Sequence, residues 1–330
     1  MIHQFTRAIS SSIRWVAILP TILLAIIATL LLPVAHAADS ACDYSIICVD
    51  QNKYEPDFNL QLAQQDAGTL YALTDTGTRK ASVGKSTIGY PEMLWKDTKH
   101  VLTSPKRWKG EDWEQIGLAA AGIVGVIAFV DRPVQDFMRR IAPDDDQLSP
   151  NDSRFLHEVE RFGRMYSLGL LGGFYVAGTL NEDDTAIAVA QDGLTATIIA
   201  SGIITTTGKI ITGRARPRKD LGHTHFNPFG GDHSFPSGHT THAFAIASVI
   251  ANHYDETWVS YASYTVASLV GVARSYHGGH YTSDILTGAM IGTLVGKNVV
   301  SYNQQFRTGN IAVIPEFTPG MAGLRLVSSF

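Results

Sequence analysis

Six stretches without a charged side chain fix most of what this 330-residue chain can fold into: residues 116–130, 165–180, 193–208, 240–252, 257–273 and 285–296. Each runs 12 to 17 residues, too long for an ordinary strand. The third to sixth are rich in Gly, Ala, Ser and Thr, which suit close contact between helices. The third is also β-branched, but no alternating partner runs exist with which it could build a sheet. Breakers separate the runs: Asp131-Arg132-Pro133, residues 181–184, and the long 214–236 segment. The pattern predicts an all-α bundle of about six core helices. A content of 45% hydrophobic and 17% charged residues with net charge −4 excludes a disordered chain and a strongly basic nucleic-acid binder, so no nucleic acid is expected as a partner.

The N-terminal third reads differently. Arg7 and Arg14 precede an apolar stretch at 16–34 and then Ala35-His36-Ala37, the layout of a secretory signal peptide over residues 1–37. An uncleaved anchor is the alternative. Export would place Cys42 and Cys48 where a short local disulfide persists. Residues 38–110 form a polar extension, expected to be irregular with short helices, and 111–305 the helical domain. In the tail at 306–330, segments 310–317 and 322–330 flank Thr318-Pro319-Gly320 and predict a β-hairpin.

Charge returns in three clusters at the ends of the uncharged runs, and charge beside a buried helix is costly unless it is paired or used. Lys209, Arg214, Arg216 and Pro217 follow the third run. Pro236-Ser237-Gly238-His239 precedes the fourth, where unpaired backbone N–H groups and the helix dipole favour an anion. Arg274, His280 and Asp284 link the fifth to the sixth. In an up-and-down bundle these four helix ends share one face, so the clusters converge. These cations, an anion-binding helix start, two histidines and a carboxylate best fit a tetrahedral oxyanion, most naturally phosphate.

Lys209-x6-Arg216-Pro217, Pro236-Ser237-Gly238-His239 and Arg274-x5-His280-x3-Asp284 together resemble the three-part signature of the type 2 phosphatidic acid phosphatase and vanadium haloperoxidase superfamily. The resemblance covers roughly residues 116–297 and departs at Ala273, where the family usually has Ser. It implies His280 as the nucleophile that forms a phosphohistidine, and Asp284 as acceptor of its other ring N–H. His239 would be the acid that protonates the leaving oxygen and then activates water. Lys209, Arg216, Arg274 and the backbone N–H groups of Ser237 and Gly238 would hold the phosphoryl oxygens. The expected activity is a phosphatase acting on phosphate monoesters or pyrophosphates, with a phosphorylated lipid or small phosphoester as partner. No cofactor is expected, vanadate entering as a phosphate analogue. Three alternatives stand beside it: a haloperoxidase with vanadate as cofactor, a non-catalytic phosphate-binding envelope protein, and a zinc hydrolase built on His277, His280 and Asp284. Three surrounding cations disfavour the zinc site, so no metal is expected.

Arg214, Arg218 and Lys219 are expected to be solvated charges, and the 18 residues between Pro217 and Pro236 either a lid or a packed loop. If the signal is cleaved and all six helices span a membrane, Lys209 falls on the cytoplasmic side, whereas the resemblance implies the outer side. The runs stop at 17 residues, about 25 Å of helix against a hydrocarbon core of about 30 Å. Gln191, Asp192 and His242 also suit water better than lipid. The expectation is therefore a periplasmic domain, soluble or resting on a membrane surface, with an integral inner-membrane protein as the alternative.

Overall fold

The computed structural model of the protein describes residues 84–142 and 154–307, with the backbone of two strands at 311–318 and 321–328. The signal segment, Cys42 and Cys48, and most of the polar extension lie outside the described residues. Among the described residues the fold is mostly helical. The helices are α1 Tyr90–Leu102, α2 Gly110–Phe129, α3 Asp131–Ile141, α4 Arg154–Arg161 and α5 Met165–Asn181. They continue with α6 Asp184–Thr212, α7 Gly238–His253, α8 Thr257–Tyr276 and α9 Thr282–Asn303. Strands β1 Ile311–Thr318 and β2 Met321–Ser328 pair antiparallel, with Ile311 opposite Ser328 and Thr318 opposite Met321.

Each uncharged run lies in a helix, apart from Val130 at the end of the first, but α1, α3 and α4 are helices that the runs do not reveal. They are short and interleave charged with apolar positions, so no uncharged stretch marks them. Asp131-Arg132-Pro133 follows the end of α2, as expected, and opens a further helix. Pro133 sits in the first turn of α3, where its missing N–H has no intrahelical partner to lose, and the chain turns at Val130 into a second helix. The length argument against membrane helices also fails, because polar and charged residues at the run ends are helical too. The apolar window of the 20-residue α2 and that of the 29-residue α6 are each long enough to cross a membrane. That of α6 is 56% buried in the protein and that of α2 6%, with Phe129 80% and Leu118 73% exposed.

Helix α7 is central, packed on α6, α8 and α9. One apolar cluster joins Val101, Leu171, Val189, Ile199, Val249 and Val299, and a second joins Ile123, Val159, Phe244, Val270 and Leu286. Burying such side chains gives about 1.5–3 kcal/mol each. The contact that matters most for the site is α7 on α9. Gly288, Gly292 and Gly296 line one face of α9, and a Cβ would sit 2.6 Å from the Ser237 carbonyl at the first and 2.7 Å from the Ala245 carbonyl at the third. Only glycine lets the two backbones meet, which sets the N-terminus of α7 beside that of α9. Helix α6 enters through Asp183, whose carboxylate caps the N–H groups of Thr185 and Ala186 at 2.9 and 3.1 Å. Its π-helical stretch Ile198–Thr205 faces the start of α7, where Ser201 Oγ donates to the Gly238 carbonyl at 3.2 Å.

Candidate active site

The packing gathers the end of α6, the start of α7, the end of α8 and the start of α9. Lys209 leans over the start of α7, with Cε and Nζ 3.6 Å from where a Gly238 Cβ would be, and its Nζ donates to the His233 carbonyl at 3.2 Å. Burial first, then Arg216 and Arg274, lower the lysine to about 8. Arg216 stands close enough to Arg274 and Asp284 to feel the charge of both. Arg274 is buried near the end of α8 and packs its guanidinium against Gly279, where any side chain would overlap it.

Asp284 is wholly buried. Its Oδ1 accepts from Arg214 Nη1 at 2.6 Å, and its Oδ2 from Ser234 Oγ at 2.6 Å and Tyr281 N–H at 2.9 Å. Burial would raise its pKa, yet His280, Arg214 and Ser234 together hold it below the ordinary carboxylate value. His280 Nδ1 lies 3.6 Å from Asp284 Oδ2, within ion-pair range but longer than a hydrogen bond, and has no hydrogen-bond partner. The expected hydrogen bond from imidazole to carboxylate is thus absent from this geometry, because Arg214, Ser234 and Tyr281 already hold the carboxylate. Burial lowers His280 to about 4 against the pull of Asp284, with Arg274 and Lys209 adding to the fall. His239, 21% exposed, is lowered to about 3 by burial and then Arg274. Both imidazoles are therefore neutral near pH 7, with a ring lone pair available.

Two expectations are corrected. Arg214 is not solvated: it is fully buried, with Nη2 2.7 Å from Asp131 Oδ2, Nε donating to the His223 carbonyl at 3.0 Å, and its guanidinium 4.3 Å from the centre of the Tyr281 ring. Two carboxylates compensate the buried charge, a pairing the local sequence does not display. The Ser237 N–H is not held for a ligand either; it donates to the Asp284 carbonyl at 2.9 Å and ties α7 to α9. Gly238 and His239 open α7, and their N–H groups precede the first intrahelical bond, Thr241 N–H to the Ser237 carbonyl at 2.9 Å. Arg218 and Lys219 are exposed, as expected.

Sequence reasoning missed three contributors. Asp131 joins Arg214 to α9 by accepting from Ser283 N–H at 2.9 Å and Ser283 Oγ at 2.6 Å. Arg164 adds positive charge that lowers His239 and His242 further. Glu160 pairs with Arg274 and with His277 Nδ1, the latter at 2.7 Å. The signal for Asp131 was visible, a charge between two apolar helices, but its partner lies 83 residues away. Among the described residues no three His, Cys, Asp or Glu side chains cluster as a metal cage. Neutral nucleophilic imidazole, a second imidazole and clustered cations can bind an oxyanion and exchange a group at its centre.

Residues 193–308 match the PAP2 superfamily model. Among individual proteins, a lipid A 1-phosphatase of Porphyromonas gingivalis is 47% identical over 66 residues, 19% of this chain and 15% of that protein. A lipid A 1-phosphatase of Rhizobium etli is 32% identical over 127 residues, 36% of this chain and 54% of that protein. The crystal structure of Aquifex aeolicus LpxE overlaps with a TM-score of 0.38 at 25% identity, covering 51% of this chain and 94% of that one. The chain spans about half, or less, of the length of the curated relatives it matches.

Proposed function

We propose that this protein is a phosphatase that removes a phosphate monoester group from a lipid through a phosphohistidine intermediate. The observation that carries the reading is the convergence of Lys209, Arg216 and Arg274 on neutral His280 and His239 at one end of the bundle. The lipid substrate is supported by the two lipid A 1-phosphatase relatives.

His280 attacks phosphorus through a ring lone pair, forming the N–P bond as the P–O bond to the leaving group breaks. The three cations and the first N–H groups of α7 bear the charge on the phosphoryl oxygens. His239, neutral in the free protein, takes up a proton as the phosphate dianion binds beside Arg274, and gives that proton to the leaving oxygen. In the second step His239 takes a proton from water as the water oxygen attacks phosphorus, the N–P bond breaks, and phosphate leaves with His280 restored. Asp284, fixed by Arg214, favours the cationic imidazole that forms during attack.

The reaction is read as metal-independent, with the protein exported and membrane-associated. The signal-like N-terminus supports export, and the exposed apolar α2 supports contact with lipid. The test is phosphate release by purified protein from lipid A, phosphatidic acid and p-nitrophenyl phosphate. Release is expected to be inhibited by vanadate and unaffected by chelators. Release from none of the three refutes the assignment, and activity lost on chelation and restored by zinc refutes metal independence. Fractionation tests location: a chain in the soluble cytoplasmic fraction contradicts both export and membrane association.

A further inference from the structure

Glu160, in α4, reaches across to the phosphate-binding groups, although nothing in the proposed chemistry uses it. Its Oε1 pairs with Arg274 Nη1, and that same oxygen lies 3.9 Å from His239 Nε2. Its Oε2 is anchored by His277 Nδ1 at 2.7 Å, and the His277 ring meets His157 edge-on at 4.9 Å. The carboxylate oxygen thus sits between the cation assigned to a phosphoryl oxygen and the imidazole assigned to the leaving group, where a phosphate oxygen belongs. A second donor of Arg274, the buried Nε, has no hydrogen-bond partner, so the guanidinium is not saturated by the glutamate. Gly163 lets the turn after α4 close onto His239, since a Cβ there would lie 2.8 Å from the histidine Cβ. Burial alone would raise the glutamate, but His277, Arg274 and His239 bring it to about 2, so it is ionised at any physiological pH.

We propose that Glu160 is a built-in competitor for the phosphoryl site: its carboxylate occupies an oxygen position on Arg274 in the free protein, and incoming or product phosphate must displace it. The inference rests on the phosphate-site reading above. It predicts weak retention of inorganic phosphate, because the glutamate reclaims Arg274 when the product leaves.

The test compares binding of inorganic phosphate to the full-length protein in detergent with binding to Glu160→Gln, by titration calorimetry. Release of phosphate from p-nitrophenyl phosphate is measured alongside. Glu160→Gln is expected to bind phosphate at least about tenfold more tightly, and product inhibition to strengthen by the same factor. Glu158→Gln removes an equal charge from the same helix and should change affinity less than twofold, which separates displacement from a general field effect. If Glu160→Gln fails to fold, Glu160→Asp, which withdraws the carboxylate from Arg274, is expected to tighten binding as well. Unchanged or weaker phosphate binding overturns the proposal and leaves Glu160 a positioning residue for Arg274; so does phosphate binding to neither chain. Tighter binding by a protein without turnover would sustain the competitor while refuting the phosphatase.

Discussion

Where α6 ends and α7 and α9 begin, Arg214 is buried between Asp131 and Asp284; at the opposite ends of the same three helices a second buried network surrounds Asp192. There Arg307 donates twice to the Asp192 carboxylate, at 2.7 and 2.9 Å, His253 Nε2 approaches it at 2.8 Å and Asn303 Nδ2 donates at 2.8 Å. Asn303 also reaches Asp97 at 3.0 Å, tying in α1. Both networks consist of fully buried, long-range pairs, so burial of charge does not by itself distinguish a site from a clamp. What differs is the remainder. Around Asp192 the charges close on one another, whereas beside Asp284 stand Lys209, Arg216 and Arg274, with Lys209 held by a neutral carbonyl and His239 partly open to solvent. The site is the end of the bundle with cations in excess.

The largest expected difference between the two ends is catalytic. His280→Ala should lower phosphate release by at least about three orders of magnitude, with an unfolding temperature close to the parent, since water cannot replace a positioned nucleophile. A variant retaining a tenth of the activity would remove His280 from that role. His239→Ala follows, with a loss of about 10²–10⁴ for a poor alcohol leaving group and clearly less for p-nitrophenolate, which departs without a proton. Equal losses on the two substrates would mean that His239 is not the acid.

Stability sharpens the comparison next. Arg214→Met and Arg307→Met each strand buried carboxylate, and each should cost roughly 3–5 kcal/mol in denaturant unfolding. They should part in function. Arg214→Met also frees Asp284 and lowers turnover, while Arg307→Met leaves turnover per folded molecule near the parent value. Equal effects on turnover would erase the distinction between site and clamp.

The smallest effect is a pH slope from the clamp. Burial raises Asp97 to about 7 against the opposing Asn303 hydrogen bond, while an unfolded aspartate titrates near 4. Between those values the folded chain holds a proton that the unfolded chain releases, so this contribution falls as pH rises from about 4 to 7 and is flat above. Asp97→Asn should abolish the slope, leaving the variant a few degrees more stable than the parent at pH 8 and no more stable at pH 4. Parallel melting curves across that range would show that Asp97 does not titrate as a buried acid.

Much of the bundle was legible because it is written locally. An uncharged run of a dozen residues specifies a helix, and Lys209, Arg216, His239, Arg274, His280 and Asp284 stand at run ends that any up-and-down arrangement brings together. Helices α1, α3 and α4 were less visible, since their charged faces interrupt the apolar pattern. Asp192, read as a polar residue that prefers water, is instead neutralised by Arg307, 115 residues away.

The sequence by itself determined that the uncharged runs are helical and which residue types crowd one face, because helix propensity and spacing act within a few residues. The tertiary structure alone decided which charge meets which. Arg214 looks like its neighbours Arg216 and Arg218 until Asp131 and Asp284 enclose it, and Glu160 looks like any helix-surface acid until Arg274 takes its carboxylate. Ion pairing depends on distances of a few ångströms between residues far apart in the chain, and no local pattern encodes them.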